Sequence, residues 1–356
     1  QPGSAFKPFV ALAALHREGD RAPAFTLASR IDDEPIRIAT SSGPWEPVNY
    51  DRSYRGEVTL RQAIEQSLNV PFARIGMAVG PERIAATGRK LGITSPLRPV
   101  PSLALGSSEV TLLEMVRAYG VFATGGQLAT TRTVLGRAEI GAPRPTGEPP
   151  ELTTVVDPAE AYLITSALQG VIERGTGRGL GGRGRFASLA GKTGTSNDWR
   201  DAWFIAYSPT LVIGVWVGYD DGRSLRLNGG AAAVPIVARF LDRVEPRDGN
   251  ASFPVPEGIE VAQVASGSGW WWDCGEREVF LSGTAPESTC DRSSYPAWDD
   301  DEDRDRDRAR VERWRDRLES RSRRMVDDFI AKLLEKAEAH RREIRRLERE
   351  RNRWTQ

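Results

Sequence analysis

The spacing of apolar positions changes in blocks along the chain, and each block predicts an element. Phe6, Phe9, Val10, Leu12 and Leu15 predict a helix over 5–19, with Pro8 near its first turn and Gly19 closing it. Residues 21–58, rich in Pro, Gly, Asp and Ser, read as extended loop. Helical spacing returns at 60–68, 72–79, 81–91 and 111–124, punctuated by Gly and Pro, which predicts a helical subdomain. A Pro-rich link at 141–150 leads to a further helix at 158–174 and a glycine-rich loop at 176–185. Then come strands at 187–195, 202–208 and 211–219, and a small-residue helix at 231–244. Helices before and after hairpin-linked strands predict an α+β layer fold, an antiparallel β-sheet packed with helices.

The longest uncharged run, 202–219, approaches membrane-spanning length, but Ser208-Pro209-Thr210 breaks its middle, so it reads as a buried β-hairpin. Beyond it the composition shifts twice. Residues 246–298 are rich in Gly, Ser, Pro and Trp and hold Cys274 and Cys290. Residues 299–356 contain neither Pro nor Gly, and apolar or small side chains recur on average every 3.6 residues from Val311 to Leu347, the period of one long amphipathic helix. With 19 basic and 17 acidic residues, that helix suits packing on a protein partner better than lying on a membrane. Three segments follow: 1–245, 246–298 and 299–356. No internal repeat is visible.

Composition then removes several functions. The 49 basic and 49 acidic side chains cancel, which argues against nucleic-acid binding. His16 and His340 are the only histidines, so a zinc cluster, an iron–sulfur site and a Ser–His–Asp triad all lack parts. Lysine occurs at five positions, Lys7, Lys90, Lys192, Lys332 and Lys336, among many arginines. Because a lysine can give up its proton and an arginine cannot, each lysine is a candidate for proton chemistry.

Three short motifs carry that chemistry. Ser4-Ala5-Phe6-Lys7 sets a hydroxyl and an amine three residues apart at a helix start, on one face, where the amine can deprotonate the hydroxyl once burial lowers its pKa. The same residues also suit a helix-capping serine and an exposed lysine. Ser67-Leu68-Asn69 offers a second hydroxyl to pass a proton and an amide to hold a peptide backbone, or simply a polar helix end. Lys192-Thr193-Gly194-Thr195 ends a strand, with Gly194 leaving room for a substrate and the lysine and hydroxyls able to bind a carboxylate; an ordinary strand-end turn has the same composition. Found together in this order on helix, helical subdomain and strand, S-x-x-K, S-x-N and K-T-G form the triple of penicillin-binding proteins and β-lactamases.

Longer strings sharpen the match. Residues 1–9 (QPGSAFKPF), 66–71 (QSLNVP), 191–198 (GKTGTSND), 201–204 (DAWF), 214–220 (GVWVGYD) and 229–233 (GGAAA) closely resemble the transpeptidase domain of class A penicillin-binding proteins, a likeness covering about 1–245. The resemblance implies a serine D,D-transpeptidase that cross-links peptidoglycan stem peptides and is acylated by β-lactams, without metal or cofactor. It implies Ser4 as nucleophile, Lys7 as base and Ser67 as proton relay. Asn69 would hold the donor peptide, while Lys192, Thr193 and Thr195 would bind its terminal carboxylate. The backbone N–H groups of Ser4 and Thr195 would form the oxyanion hole. A D,D-carboxypeptidase and a non-catalytic β-lactam- or peptidoglycan-binding remnant stay open as alternatives.

The resemblance also carries expectations about context. The family bears a membrane anchor and a glycosyltransferase domain ahead of this region, and strands before the S-x-x-K helix; only Gln1-Pro2-Gly3 precede Ser4 here, and no secretory signal opens the sequence. The chain is therefore expected to be the C-terminal part of a longer, periplasmic, membrane-anchored protein, truncated at its N-terminus, with the strand at 211–219 left with a bare edge. In such an oxidising setting Cys274 and Cys290 are expected to form a disulfide in a small appendage.

Overall fold

The computed structural model describes residues 1–41, 43–134, 150–180, 186, 188–244, 251–265 and 274–286. The chain divides into two compact units, 1–291 and 292–356, and every element below lies in the first. The tail helix expected at 299–356 and one half of the expected disulfide, Cys290, lie outside the described residues.

The chain opens with a 3₁₀ turn at Gly3–Phe6 that runs into helix α1, Lys7–Leu15. Every residue of α1 is buried, and the helix stops at His16 in extended backbone rather than at Gly19, because the apolar run ends at Leu15. Where the sequence reads as loop, strands β1 (Arg30–Asp33), β2 (Ile38–Thr40), β3 (Gly43–Trp45) and β4 (Gly56–Thr59) form two nested antiparallel pairs, β1 with β4 and β2 with β3. Each is three or four residues long, too short for an alternation pattern to stand out. The helical subdomain follows as α2 (Leu60–Glu65), α3 (Asn69–Val79), α4 (Pro81–Lys90) and α5 (Leu112–Ala123). Capping boxes start two of these helices, Thr59 with Gln62 for α2 and Thr111 with Glu114 for α5.

A short pair, β5 (Gln127–Ala129) and β6 (Leu152–Thr154), precedes α6, Pro158–Glu173. The main sheet is β7 (Ala190–Thr195), β8 (Asp201–Tyr207) and β9 (Val212–Gly218), antiparallel in that order. The uncharged run is thus the β8–β9 hairpin, and no described helix is long and apolar enough to cross a membrane. Two short helices, α7 (Gly229–Ala232) and α8 (Val234–Leu241), replace the single helix expected at 231–244. Pro235 sits in the first turn of α8, where its missing N–H costs nothing, so the second helix starts there. In the 246–298 segment, β10 (Ile259–Ala265) pairs with β11 (Cys274–Leu281).

Alternation along β8 explains the layering. Trp203, Ile205 and Tyr207 point into the larger core with α1, α5 and α6, while Phe204 and Ala206 point into a second core with Val234, Val237 and Leu241 of α8. The sheet is covered by helices on both faces, the expected α+β arrangement. Among the described residues β9 has no strand on its outer edge, and Trp216 there is exposed.

Candidate active site

The nucleophile candidate sits on a turn held through its backbone groups. The turn carrying Ser4 is anchored by Gly3 N–H donating to Gly106 O at 3.2 Å and by the Tyr119 hydroxyl donating to Ala5 O at 2.6 Å. Gly3 has φ +52°, and a Cβ there would overlap the Thr195 carbonyl, so only glycine lets the turn lie this close to the end of β7. A 3₁₀ turn has three residues per turn, so Ser4 and Lys7 project from the same side. The Ser4 hydroxyl is half-buried and makes no hydrogen bond among the described residues.

Lys7 is fully buried, its Nζ lying 5.4 Å from the centre of the Phe72 ring. Its Nζ donates to Ser67 O at 2.7 Å and to Asn69 Oδ1 at 2.8 Å, and lies 3.5 Å from Ser67 Oγ. Lys192, also fully buried, donates to Ser67 Oγ at 2.8 Å and to Thr193 O at 3.2 Å. The three motifs therefore converge on Ser67, which adopts φ +59° between α2 and α3. Burial pushes the Lys7 amine well below the ordinary lysine range, and the neighbouring Lys192 charge pushes the same way. Burial alone brings Lys192 down to about 7.

The structure separates residues that the sequence grouped. Lys192 pairs with Ile205 and Thr193 with Phe204 across the β7–β8 ladder. Period-2 alternation thus puts Lys192 and Gly194 on the α1 face, and Thr193 and Thr195 on the α8 face. Lys192 faces Ser67, and the two hydroxyls stand on the other face of the strand. Thr193 Oγ1 lies 2.7 Å from Thr176 Oγ1, and Thr195 Oγ1 accepts the Gly229 N–H at 3.1 Å, keeping its own proton to donate. Gly194 opens no space for substrate: a Cβ would meet Pro2 O, Ala5 Cβ and Trp203 Cβ, so glycine serves the packing of β7 on the Ser4 turn.

Two residues from the expected loop complete the site. Asn49 Oδ1 accepts the N–H groups of Asn69 and Val70 at 2.8 and 3.2 Å, capping α3 in place of Leu68, whose side chain has no acceptor. The Asn49 amide donates to Asp33 Oδ1 at 2.6 Å, both side chains being buried. Asn69 donates one amide N–H to Val48 O at 2.8 Å, leaving the other. The only sequence signal for Asn49 is an uncharged polar residue inside a Pro- and Gly-rich stretch, and that signal points equally well to a turn.

The family described as the penicillin binding protein transpeptidase domain matches residues 1–242. Penicillin-binding protein 1B of Vibrio cholerae is 37% identical over 261 residues, which is 73% of this chain and 33% of that protein. Penicillin-binding protein 1A of Rickettsia conorii is 33% identical over 301 residues, 76% of this chain and 36% of the relative. The crystal structure of penicillin-binding protein 1A from Haemophilus influenzae superposes with TM-score 0.68 at 25% identity, over 80% of this chain and 48% of that one. The chain spans about a third of the length of the curated relatives it matches.

Proposed function

The chain belongs to the penicillin-binding protein transpeptidase family, as a class A transpeptidase domain, and on that premise we propose that it is a serine D,D-transpeptidase working through an acyl-enzyme on Ser4. The observation that carries the reading is the convergence of Lys7 and Lys192 on Ser67, with Asn69 Oδ1 accepting from Lys7 beside it. A neutral amine has two N–H groups and one lone pair. The two short contacts of Lys7, at 2.7 and 2.8 Å, take both N–H groups of the neutral amine and leave its lone pair for a proton from Ser4. A charged lysine would have a third N–H with only the longer 3.5 Å contact to Ser67 Oγ in a buried site, at a cost.

In the reaction the Ser4 Oγ attacks the carbonyl between two terminal D-alanines, and its proton passes to Lys7. The backbone N–H groups of Ser4 and Thr195 take the oxyanion. As the C–N bond breaks, Ser67 hands a proton to the leaving amine and draws on its hydrogen-bonded lysines for replacement. Asn69 holds the donor peptide with its remaining N–H, and Thr193 and Thr195 hold the terminal carboxylate. A neighbouring stem peptide then supplies the amine that attacks the ester and regenerates Ser4. Such a substrate puts the domain outside the cytoplasmic membrane, anchored through an upstream segment. One solved structure similar in fold, PonA1 of Mycobacterium tuberculosis, is in complex with penicillin V, and β-lactams are accordingly the probes of choice.

A labelled penicillin should modify Ser4 as located by peptide mapping, and Ser4→Ala should not be labelled. Label persisting in that variant overturns the mechanism. A D-alanyl-D-alanine peptide offered with an acceptor amine should give cross-linked product, and hydrolysis alone would instead make the domain a carboxypeptidase.

A further inference from the structure

The turn that carries Ser67 is fixed from behind by four charged side chains that touch neither Ser4 nor Lys7. Glu65, two residues before Ser67 at the end of α2, accepts Arg174 NH2 at 2.6 Å and Nε at 3.3 Å. It lies in a recess that exists only because Gly170 and Gly175 have no side chain, and a Cβ at either would overlap Glu65. The Glu65 carbonyl accepts the Thr176 N–H at 3.2 Å, and Thr176 in turn meets Thr193, next to Lys192. Arg61, one helical turn earlier, also faces the Glu65 carboxylate but stands back at 3.6 Å. Its short contacts go to Glu278 of the β10–β11 hairpin, as a two-pronged pair at 2.6 and 2.6 Å, and to Ser166 of α6. Arg61, Glu65 and Glu278 are nearly buried, so their electrostatics are weakly screened.

We propose that Glu278 is a positioning residue for Ser67: by holding Arg61 it leaves Glu65 to Arg174, and this division of partners sets where the end of α2 presents the Ser67 hydroxyl to the two lysines. The inference rests on the reading of Ser67 as the proton relay. Without the Glu278 charge, Arg61 keeps one carboxylate within reach, that of Glu65. Closing the 3.6 Å gap to ordinary hydrogen-bond length, within one helix, draws the Glu65 carboxylate off Arg174 and loosens the end of α2 from the end of α6. Displacements of about 1 Å cost a reaction roughly 10²-fold. The hairpin, remote in sequence from all three motifs, thereby becomes part of what tunes acylation.

The test uses the full chain and the second-order rate of acylation by a labelled penicillin, with thermal melting measured alongside. Glu278→Gln keeps shape and removes charge, and acylation should slow by about 10- to 100-fold. Adding Arg61→Met removes the cation that would pull on Glu65, so the double variant should acylate within about threefold of wild type. A tether that merely docks the hairpin predicts the opposite, since the double variant has lost both of its ends. Should Glu278→Gln alone not fold, the double variant still decides: folded and more than about tenfold slow, it overturns the proposal. Wild-type rate in Glu278→Gln also overturns it. If wild type itself is not acylated at Ser4, the proposed function fails first.

Discussion

Lys7 and Lys192 both reach one serine, so the Lys192 charge acts on Lys7, and pH is the lever that reads it. Lys7 must be neutral to take a proton, so acylation should fall on the acid side as Lys7 becomes protonated. Replacing Lys192 by Met removes the second of the two influences that lower Lys7, so the Lys7 pKa rises and the acid limb should move to higher pH. The maximal rate should also drop, by about 10²-fold or more, with the loss of the donor to Ser67 Oγ. A rate profile whose acid limb stays in place would show that Lys7 is not the titrating base. Lys7→Arg is expected to label as poorly as Lys7→Ala, because guanidinium keeps its proton; labelling at neutral pH in that variant would exclude the base role. At this scale the sequence was informative, since scarce lysines and motif order singled out Ser4, Lys7, Ser67, Asn69 and Lys192. It did not divide Lys192 from Thr193 and Thr195, although strand alternation, already readable, sends adjacent side chains to opposite faces.

Elements position these side chains, and their supports come from far along the chain. The start of α3 is capped by Asn49, held in turn by the buried carboxylate of Asp33 in β1. Asn49→Leu leaves Asp33 and two helix N–H groups short of a partner, which should cost about 1–3 kcal/mol in urea denaturation and slow acylation by shifting Asn69. Unchanged stability would mean that water replaces the amide. Gly194→Ala tests a different contact: β7 should still pair with β8, but the new methyl group meets the backbone of the Ser4 turn, so labelling should fall by about 10²-fold while melting changes little. Labelling at the wild-type rate would mean that the turn gives way without cost. Long elements with a clear period were readable from sequence to within a few residues, as with α5, α6, β8 and β9. The short strands β1 to β4 were not, because three or four residues carry too little alternation and their stability comes from partners such as the Asp33–Asn49 pair.

On the scale of the whole molecule, the two-sided sheet and its helical covers follow from pattern alone, but the part played by the β10–β11 hairpin does not. Composition marks 246–298 only as different, whereas the hairpin sends Phe280 and Leu281 into burial and Glu278 onto Arg61. Phe253, just ahead of the hairpin, stacks edge-on against Tyr207 of β8 at 5.5 Å. Each such buried apolar side chain contributes on the order of 1.5–3 kcal/mol. The hairpin and Phe253 together rival the net stability of a domain, which is about 5–15 kcal/mol. A chain ending at Glu257, which keeps every motif residue but lacks the hairpin, should melt far lower or fail to fold. Melting and labelling equal to those of the full chain would show that the hairpin is a passenger on a fold already complete at α8.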